Sequence, residues 1–521
     1  GDVYYETIAE AINAANAGDT VTILAGEYNN DLNVNKSITV VGETDAEDNN
    51  LVTINGKLNI TADNSTVKNL IVKNSGNTAG YISAKDVLVE NCNIKGSQGF
   101  YQSYTSGTVT FKNSTISGGT YGIHFDGSAG GNIVIENCEI SGWTSFAGTI
   151  EKVTISDSTF AEGNYNQLRF YQDVEITNTV FNKEMTIDFG TNGVEATFDG
   201  CTVEGGSLLD VIYLPDIAEM GVKVEVNGEQ VVVEAMIGNT AYLTLAEAFA
   251  AAVDGDEIKI YKAGTYALST SGKDITITGV VNGVEFDNIG AHNMGGANVT
   301  FNNVTFDYAN GSTYKGLQHA GHLTYNDCTF NGQVFLYGAS ETFNNCTFNQ
   351  TDTNNYNVWT YSADEVTFTN CTFNSAGKSV LVYVESAGEF TKVAVNNSTF
   401  KASQAVEGKA AIEIDTSLSS GATITVANTT VEGFGNGNVS QNSLWNNKKG
   451  NNTDANNDTT IVVDDVTVLA PVTFVAKIGN IGYTTLKDAF AAAQAGDTLV
   501  IAAGNYTTDI NVNKDITVEG D

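Results

Sequence analysis

The sequence predicts an all-β chain of parallel β-solenoid units in tandem, each opened by a short capping α-helix. A long repeat and a short repeat nested inside it carry this reading. The long one is plain: Tyr5–Glu43 returns without gaps as Tyr483–Asp521, identical at 22 of 39 positions. A third version starts at Tyr242, with one extra residue before its Ala263-Gly264. The short one is a phrase of the type x-Asn-Cys-x-(Ile/Phe)-x-Gly, preceded by alternating residues such as Val-Thr-Phe. Its Asn or Asp falls at Asn69, Asn91, Asn113, Asn137, Asp157 and Asn178, with Gly200 next, then at Asn303, Asp327, Asn345, Asn370, Asn397, Asn428 and Asp465. Most steps span 18 to 27 residues, the last two 31 and 37.

Each element follows from local chemistry. Every long repeat opens on Tyr-x-Thr-(Ile/Leu)-x-(Glu/Asp)-Ala-(Ile/Phe), an alanine-rich helix expected to stop at Gly18, Gly255 or Gly496 as a left-handed cap. A short apolar strand follows, then Gly-x-Tyr (Gly26/Tyr28, Gly264/Tyr266, Gly504/Tyr506) and another strand. Short β-branched and aromatic strands between Asn/Gly turns at this period describe coils of a parallel solenoid. Asn suits a fixed turn position because it tolerates the left-handed conformation and hydrogen-bonds to neighbours above and below. A leucine-rich repeat would place Leu at fixed offsets, where these coils use Val, Ile and Phe. The expected units are residues 1–235, 236–477 and the opening of a third at 478–521, cut from a longer array. Pro215 and the Val222–Val233 strands predict a capping segment, and Asn436–Asp458 reads as an insertion with Trp445 its apolar anchor.

Composition narrows the function. Of the 521 residues only 16% are charged, and Asp+Glu 61 against Lys+Arg 24 leaves a net charge of −37. So acidic a surface repels phosphate backbones and anionic bilayers, which argues against nucleic-acid and membrane-surface partners. No run of about 18 apolar residues is present to span a bilayer. The leading Gly1-Asp2-Val3 reads as a mature or excised start.

The coils resemble the right-handed parallel β-helix superfamily that includes pectate lyases, and the repeated opening is similar to its amino-terminal cap. The tandem arrangement, with Ala-x-Ile-Gly-Asn before the second and third caps (Ala235–Asn239, Ala476–Asn480), resembles surface adhesins of Gram-positive gut bacteria. The resemblance implies fold more than function, because the superfamily holds lyases, hydrolases, epimerases and non-catalytic adhesins. It implies an extracellular chain associated with a cell wall or cell surface. Lyases of the superfamily place calcium-bound carboxylates beside arginine or lysine, and its hydrolases carry Asp-rich motifs, Gly-His-Gly and Arg-x-Lys. Here Arg169 is the sole arginine, and Ala320-Gly321-His322 does not match. No nucleophile elbow, phosphate loop or His-Glu-x-x-His occurs either.

All six cysteines, Cys92, Cys138, Cys201, Cys328, Cys346 and Cys371, sit just after the turn position, where other coils place Ser, Thr or Val. Without paired Cys-x-x-Cys spacing a structural zinc is not indicated. Cys346 lies within a coil's rise of Cys328 and Cys371, so a disulfide is sterically conceivable, but interchange with Ser and Val favours buried reduced thiols.

Alternation assigns outward residues to two strips. In the first unit Tyr101, His124, Asp126, Arg169, Tyr171 and Asp188 face out, a surface fit for sugar binding or acid–base work, or for an exposed salt-bridged face. If the chain is an enzyme, His124, Asp126, Arg169 and Asp188 are its catalytic candidates. In the second unit Phe335, Tyr337, Trp359, Tyr361, Tyr383, Glu385, Glu413 and Asp415 are expected to stack outward as an aromatic ladder ending in an acidic patch. Aromatic platforms suit pyranose faces, and carboxylates accept hydrogen bonds from sugar hydroxyls; burial beneath a loop is the alternative. Asn452, Asp454, Asn456 and Asp458 alternate as calcium ligands do but lack the Gly and closing Glu of a calcium loop, so no cofactor is expected beyond this calcium candidate. The expected function is a non-catalytic adhesin or binding module, a monomeric rod in a longer chain, presenting outer faces to a glycan or host-surface protein. A carbohydrate-active enzyme (lyase, epimerase or hydrolase) and a structural stalk without ligand remain open.

Overall fold

A computed structural model describes residues 3–102, 106–125, 130–270, 272–287, 291–308, 315–361, 363–384, 389–416, 421–435, 442–447, 459–471, 473–479 and 481–521. The chain divides into two compact units, Gly1–Val233 and Glu234–Asp521. Both are parallel β-solenoids, the fold class the sequence predicts.

In the first unit an eleven-stranded sheet runs from Thr20–Ile23 to Glu229–Val231. Its strands pair in parallel except for the closing hairpin of Lys223–Val226 with Glu229–Val231. One inward row crosses all ten parallel strands: Val21, Val40, Val67, Val89, Phe111, Ile135, Ile155, Ile176, Phe198, Val226. The helix Pro215–Glu219 and the hairpin form the capping segment expected after Pro215. Such a row buries each side chain against the coils above and below, so stability accrues almost coil by coil.

The second unit repeats the scheme with larger side chains. Phe286, Phe306, Phe330, Phe348, Phe373 and Phe400 occupy one inward row. Their rings stack, with centroids 4.5 Å apart at Phe373–Phe400 and 4.8 Å at Phe348–Phe373. A second inward row reads Ile275, Val299, Leu323, Glu341, Val366, Val393, Ile424, Ile461. Glu341 is the one ionisable group in it. Within the same unit, Ala476, Leu486, Ala489, Ala493 and Leu499 bury a separate small core. The stretch around Trp445 is more than an insertion: Trp445–Asn447 pairs in parallel with Ile412–Ile414 and buries its Trp.

Every turn Asn, Asp and Gly picked out in the sequence has positive φ, from 47° at Asn178 to 64° at Asp465. Four side-chain ladder bonds join consecutive turns: Asn91 to Asn69 (2.9 Å), Asn137 to Asn113 (2.9 Å), Asn178 to Asp157 (3.1 Å) and Asn370 to Asn345 (3.1 Å). The cap helices Ile8–Ala14, Leu245–Ala251 and Leu486–Ala492 start at Thr7, Thr244 and Thr485, whose hydroxyls accept from the backbone three residues on. Their ends depart from expectation. Gly18, Gly255 and Gly496 are left-handed (φ 87–90°), but they lie in the turn after the helix. The terminal carbonyls are satisfied instead by a lysine from the next strand connection: Lys36 on Ala15, Lys273 on Phe249 and Lys514 on Ala493. A cation there also meets the negative end of the helix dipole.

Candidate functional site

The outer strip of the first unit is a true register row. Tyr81, Tyr101, His124, Ser145, Arg169 and Asp188 are consecutive Cα partners on six parallel strands. Ile123, Phe125, Leu168, Phe170, Ile187 and Phe189 point inward as alternation requires. Tyr81 stacks on Tyr101 at 6.0 Å and Tyr101 on His124 at 5.6 Å, the second pair within 5° of parallel. Lys57 lies over the Tyr81 ring at 4.4 Å.

At the other end of this row Arg169 grips Asp188 with two bonds, Nε to Oδ1 at 2.9 Å and Nη2 to Oδ2 at 2.6 Å. Gln167 Nε2 adds a third at 2.7 Å. Asp188 is only 8% exposed, so although it points outward it serves as the buried half of an ion pair. The hydrogen bond to Asp188, and a weaker one to Tyr171, hold the Arg169 proton more firmly. Asp216 belongs to the same corner and escaped the sequence reading, because it comes from the helix Pro215–Glu219, where strand alternation does not apply. Its Oδ2 accepts the Phe189 N–H at 2.8 Å. Burial raises its carboxyl pKa, the charge of Asp188 adds to this, and the Phe189 bond opposes it. Asp126 lies outside the described residues.

In the second unit the aromatic strip exists, with three corrections. Its lateral sheet comprises Val334–Phe335, Val358–Trp359, Val380–Val384, Ile412–Thr416 and Trp445–Asn447. Register makes Phe335, Trp359, Leu381, Glu413 and Asn446 one row, and places Tyr383 level with Asp415. First, the row continuing from Phe335 and Trp359 reaches Leu381 rather than an aromatic; a two-residue offset keeps every side chain on its face, so alternation does not detect it. The Tyr383 ring stacks on Tyr361 at 5.8 Å and 9° and meets Trp359 edge to face at 5.4 Å.

Second, Phe335 is 1% exposed, its ring enclosed by Trp359 (4.8 Å), Tyr337 (6.1 Å) and Tyr361 (6.2 Å). Third, Glu413 is 0% exposed rather than part of an open acidic patch. The Tyr356 hydroxyl donates to it and Lys409 Nζ pairs with it at 3.1 Å. Asn446 Nδ2 adds a longer bond of 3.4 Å, and Lys378 lies over the Tyr356 ring at 4.7 Å. Phe335 and Glu413 therefore leave the set of ligand-contact candidates. Tyr337, Trp359, Tyr361, Tyr383 and Asp415 remain half-buried at the surface. Glu385 and the calcium candidates Asn452, Asp454, Asn456 and Asp458 lie outside the described residues.

Within this strip Phe335–Tyr337, Phe335–Trp359 and Tyr361–Tyr383 are stacked, whereas Phe335–Tyr361, Tyr337–Tyr361 and Trp359–Tyr383 meet edge to face. All six cysteines are free thiols, five of them buried.

No protein-family model and no curated protein matches this chain. Among solved structures it is similar to the pectin methylesterase from Aspergillus niger, at 14% identity and TM-score 0.30, over 44% of this chain and 84% of that one. It is also similar to the PL6 family alginate lyase AlyGC, at 10% identity and TM-score 0.22, over 87% of this chain and 98% of that one. A variant of that lyase gives 11% and 0.24, over 82% and 96%. Overlaps of this kind carry no argument about activity; the fold rests on the strand pairing itself.

Proposed function

We propose that this chain is a non-catalytic binding module of a cell surface, recognising a glycan on the lateral faces of its solenoids. The observation that carries this is the clustering of Tyr337, Trp359, Tyr361 and Tyr383 along one lateral face of the second unit; among the described strand residues of its other sheets, Phe390 is the one exposed aromatic. In the second unit the other two sheets turn out ladders of Thr and Asn: Thr276, Thr300, Thr324, Thr342 and Thr367 on one, Thr305, Thr329, Thr347, Thr372 and Thr399 on the other. The third sheet places Trp359, Tyr361 and Tyr383 at the surface. Aromatic side chains gathered on one face of a polar rod are characteristic of recognition surfaces. The two units differ in their strips while sharing a scaffold, as divergent recognition by duplicated modules requires.

A glycan array probed with the intact chain, with and without EGTA, tests this. Glycans retained by the wild type and lost by Tyr361→Ser/Tyr383→Ser support it; identical retention by both proteins sinks it. EGTA sensitivity would add calcium to the contact. A carbohydrate-active enzyme is the second reading, favoured by one corner: Arg169, Asp188 and the raised-pKa carboxyl of Asp216. Assaying retained glycans for new reducing or unsaturated ends separates the two.

A further inference from the structure

Ten lysines and one arginine fall in Gly1–Val233. Six lysines and Arg169 pair with carboxylates: Lys68–Glu90, Lys85–Asp63, Lys112–Glu136, Lys152–Glu175, Arg169–Asp188, Lys183–Glu184 and Lys223–Glu195. Lys36 caps a helix and Lys57 covers Tyr81. Only Lys73 and Lys95 make no ion pair, hydrogen bond or ring contact among the described residues. These two are Cα partners on adjacent parallel strands, about 4.8 Å apart, and both are exposed. Like charges side by side in a ladder oppose one another. In a chain with 61 acidic residues, a carboxylate to separate them was the easy solution.

The pair also stands at a concavity. Lys73, Lys95, Ser75, Ser97 and Thr120 line a cleft of about 640 Å³ where three long strands, Ile71–Ile82, Asn93–Gln102 and Thr115–Phe125, turn the corner of the coil. The register shifts between Gly96 and Gln98. A Cβ on Gly96 would lie 2.6 Å from the Asn77 carbonyl oxygen and 2.7 Å from that of Gln98. The floor is therefore bare backbone, with hydroxyl groups and two ammonium groups around it.

We propose that this cleft binds a single oxyanion group, a sulfate, phosphate or carboxylate substituent carried on an otherwise uncharged chain. Two adjacent ammonium groups neutralise one compact anion, and the hydroxyls supply neutral donors. The net charge of −37 sets the rest: it repels a polyanion along its whole length but is screened for one group seated against two cations. The site is independent of the aromatic strips, so the glycan reading stands or falls separately.

The test is calorimetric titration of the intact chain at low ionic strength with inorganic sulfate, inorganic phosphate and glucuronic acid, glucose being the uncharged control. Sulfate stabilises proteins non-specifically, so affinity rather than melting temperature is the readout. At least one anion is expected to bind where glucose does not, and the strongest identifies the substituent. Lys73→Gln and Lys95→Gln should each weaken it about tenfold. Lys73→Arg and the distant control Lys183→Gln should retain it. Both lysines are exposed, so these variants should melt no lower than wild type. Equal affinity in wild type and Lys73→Gln/Lys95→Gln, no anion binding above glucose, or tighter binding of polygalacturonate than of glucuronic acid would each overturn the proposal.

Discussion

Glu341 makes the second unit sensitive to pH in a direction that can be worked out beforehand. Its side chain takes an inward position between Leu323 and Val366 and is 2% exposed. Burial drives its carboxyl up from 4.5 to about 8, against the Gly338 N–H that donates to Oε1 at 2.9 Å and favours the charged form. The buried tyrosines Tyr308 and Tyr325 lie within its electrostatic reach. Between pH 4.5 and 8 the folded chain keeps a proton that the unfolded chain has released, so stability falls as pH rises through this window and levels off above it. At 1.36 kcal/mol per pH unit the whole loss is roughly 4–5 kcal/mol. Glu341→Gln keeps an acceptor for Gly338 and removes the charge. Melting curves of wild type and variant, recorded by near-ultraviolet circular dichroism from pH 4.5 to 9, subtract out every other titrating group. The variant should melt close to wild type at pH 4.5 and about 8–10 °C higher at pH 9, taking roughly 2 °C per kcal/mol for a unit of this size. Parallel curves across the range would refute the reasoning and mean that the carboxylate is solvated in the folded state.

Three further outcomes follow from the same structure. Arg169→Ala should cost about 3 kcal/mol, because it strands the buried Asp188 carboxylate; Arg169→Lys should recover only part, lacking the two-pronged donor, and chemical denaturation measures both. Asn91→Ala loses the ladder bond to Asn69 and the polar side chain that lets Asn tolerate φ 51°, for about 1–2 kcal/mol, whereas Asn91→Gly loses less because glycine accepts that φ; a denaturation midpoint no lower for Ala than for Gly would contradict this. An aromatic disulfide reagent should label Cys201 first. The other five thiols are buried, with burial pushing Cys92 up to about 12 and Cys138 up to about 11, and they should stay protected until the chain unfolds; prompt labelling of all six would place them at the surface.

The sequence alone determined everything that repeats. A period of two assigns inward and outward faces, so the aliphatic and phenylalanine rows follow from spacing. The turn residues follow as well, because a left-handed corner restricts each coil to Asn, Asp or Gly. Tyr101, His124, Arg169 and Asp188 share a row because both constraints hold along the first unit. Glu341 left a trace too: Ser-Glu-Thr-Phe-Asn stands where the next coil has Glu-Val-Thr-Phe-Thr, a carboxylate at a valine position.

Tertiary structure decided what does not repeat. Register between coils of unequal length is free to slip by two residues without changing any face, and only the backbone ladder sets Leu381 rather than Tyr383 level with Trp359. Burial of outward residues depends on segments remote in sequence: Tyr356 reaches Glu413 across 57 residues, and the helix bearing Asp216 meets Phe189 across 27. The lack of an ion pair at Lys73 and Lys95 among the described residues belongs to this class, since only packing shows which charges lie within reach. Alternation is a local property of one strand, whereas pairing and enclosure are properties of strands brought together, and the functional surfaces are built from the second kind.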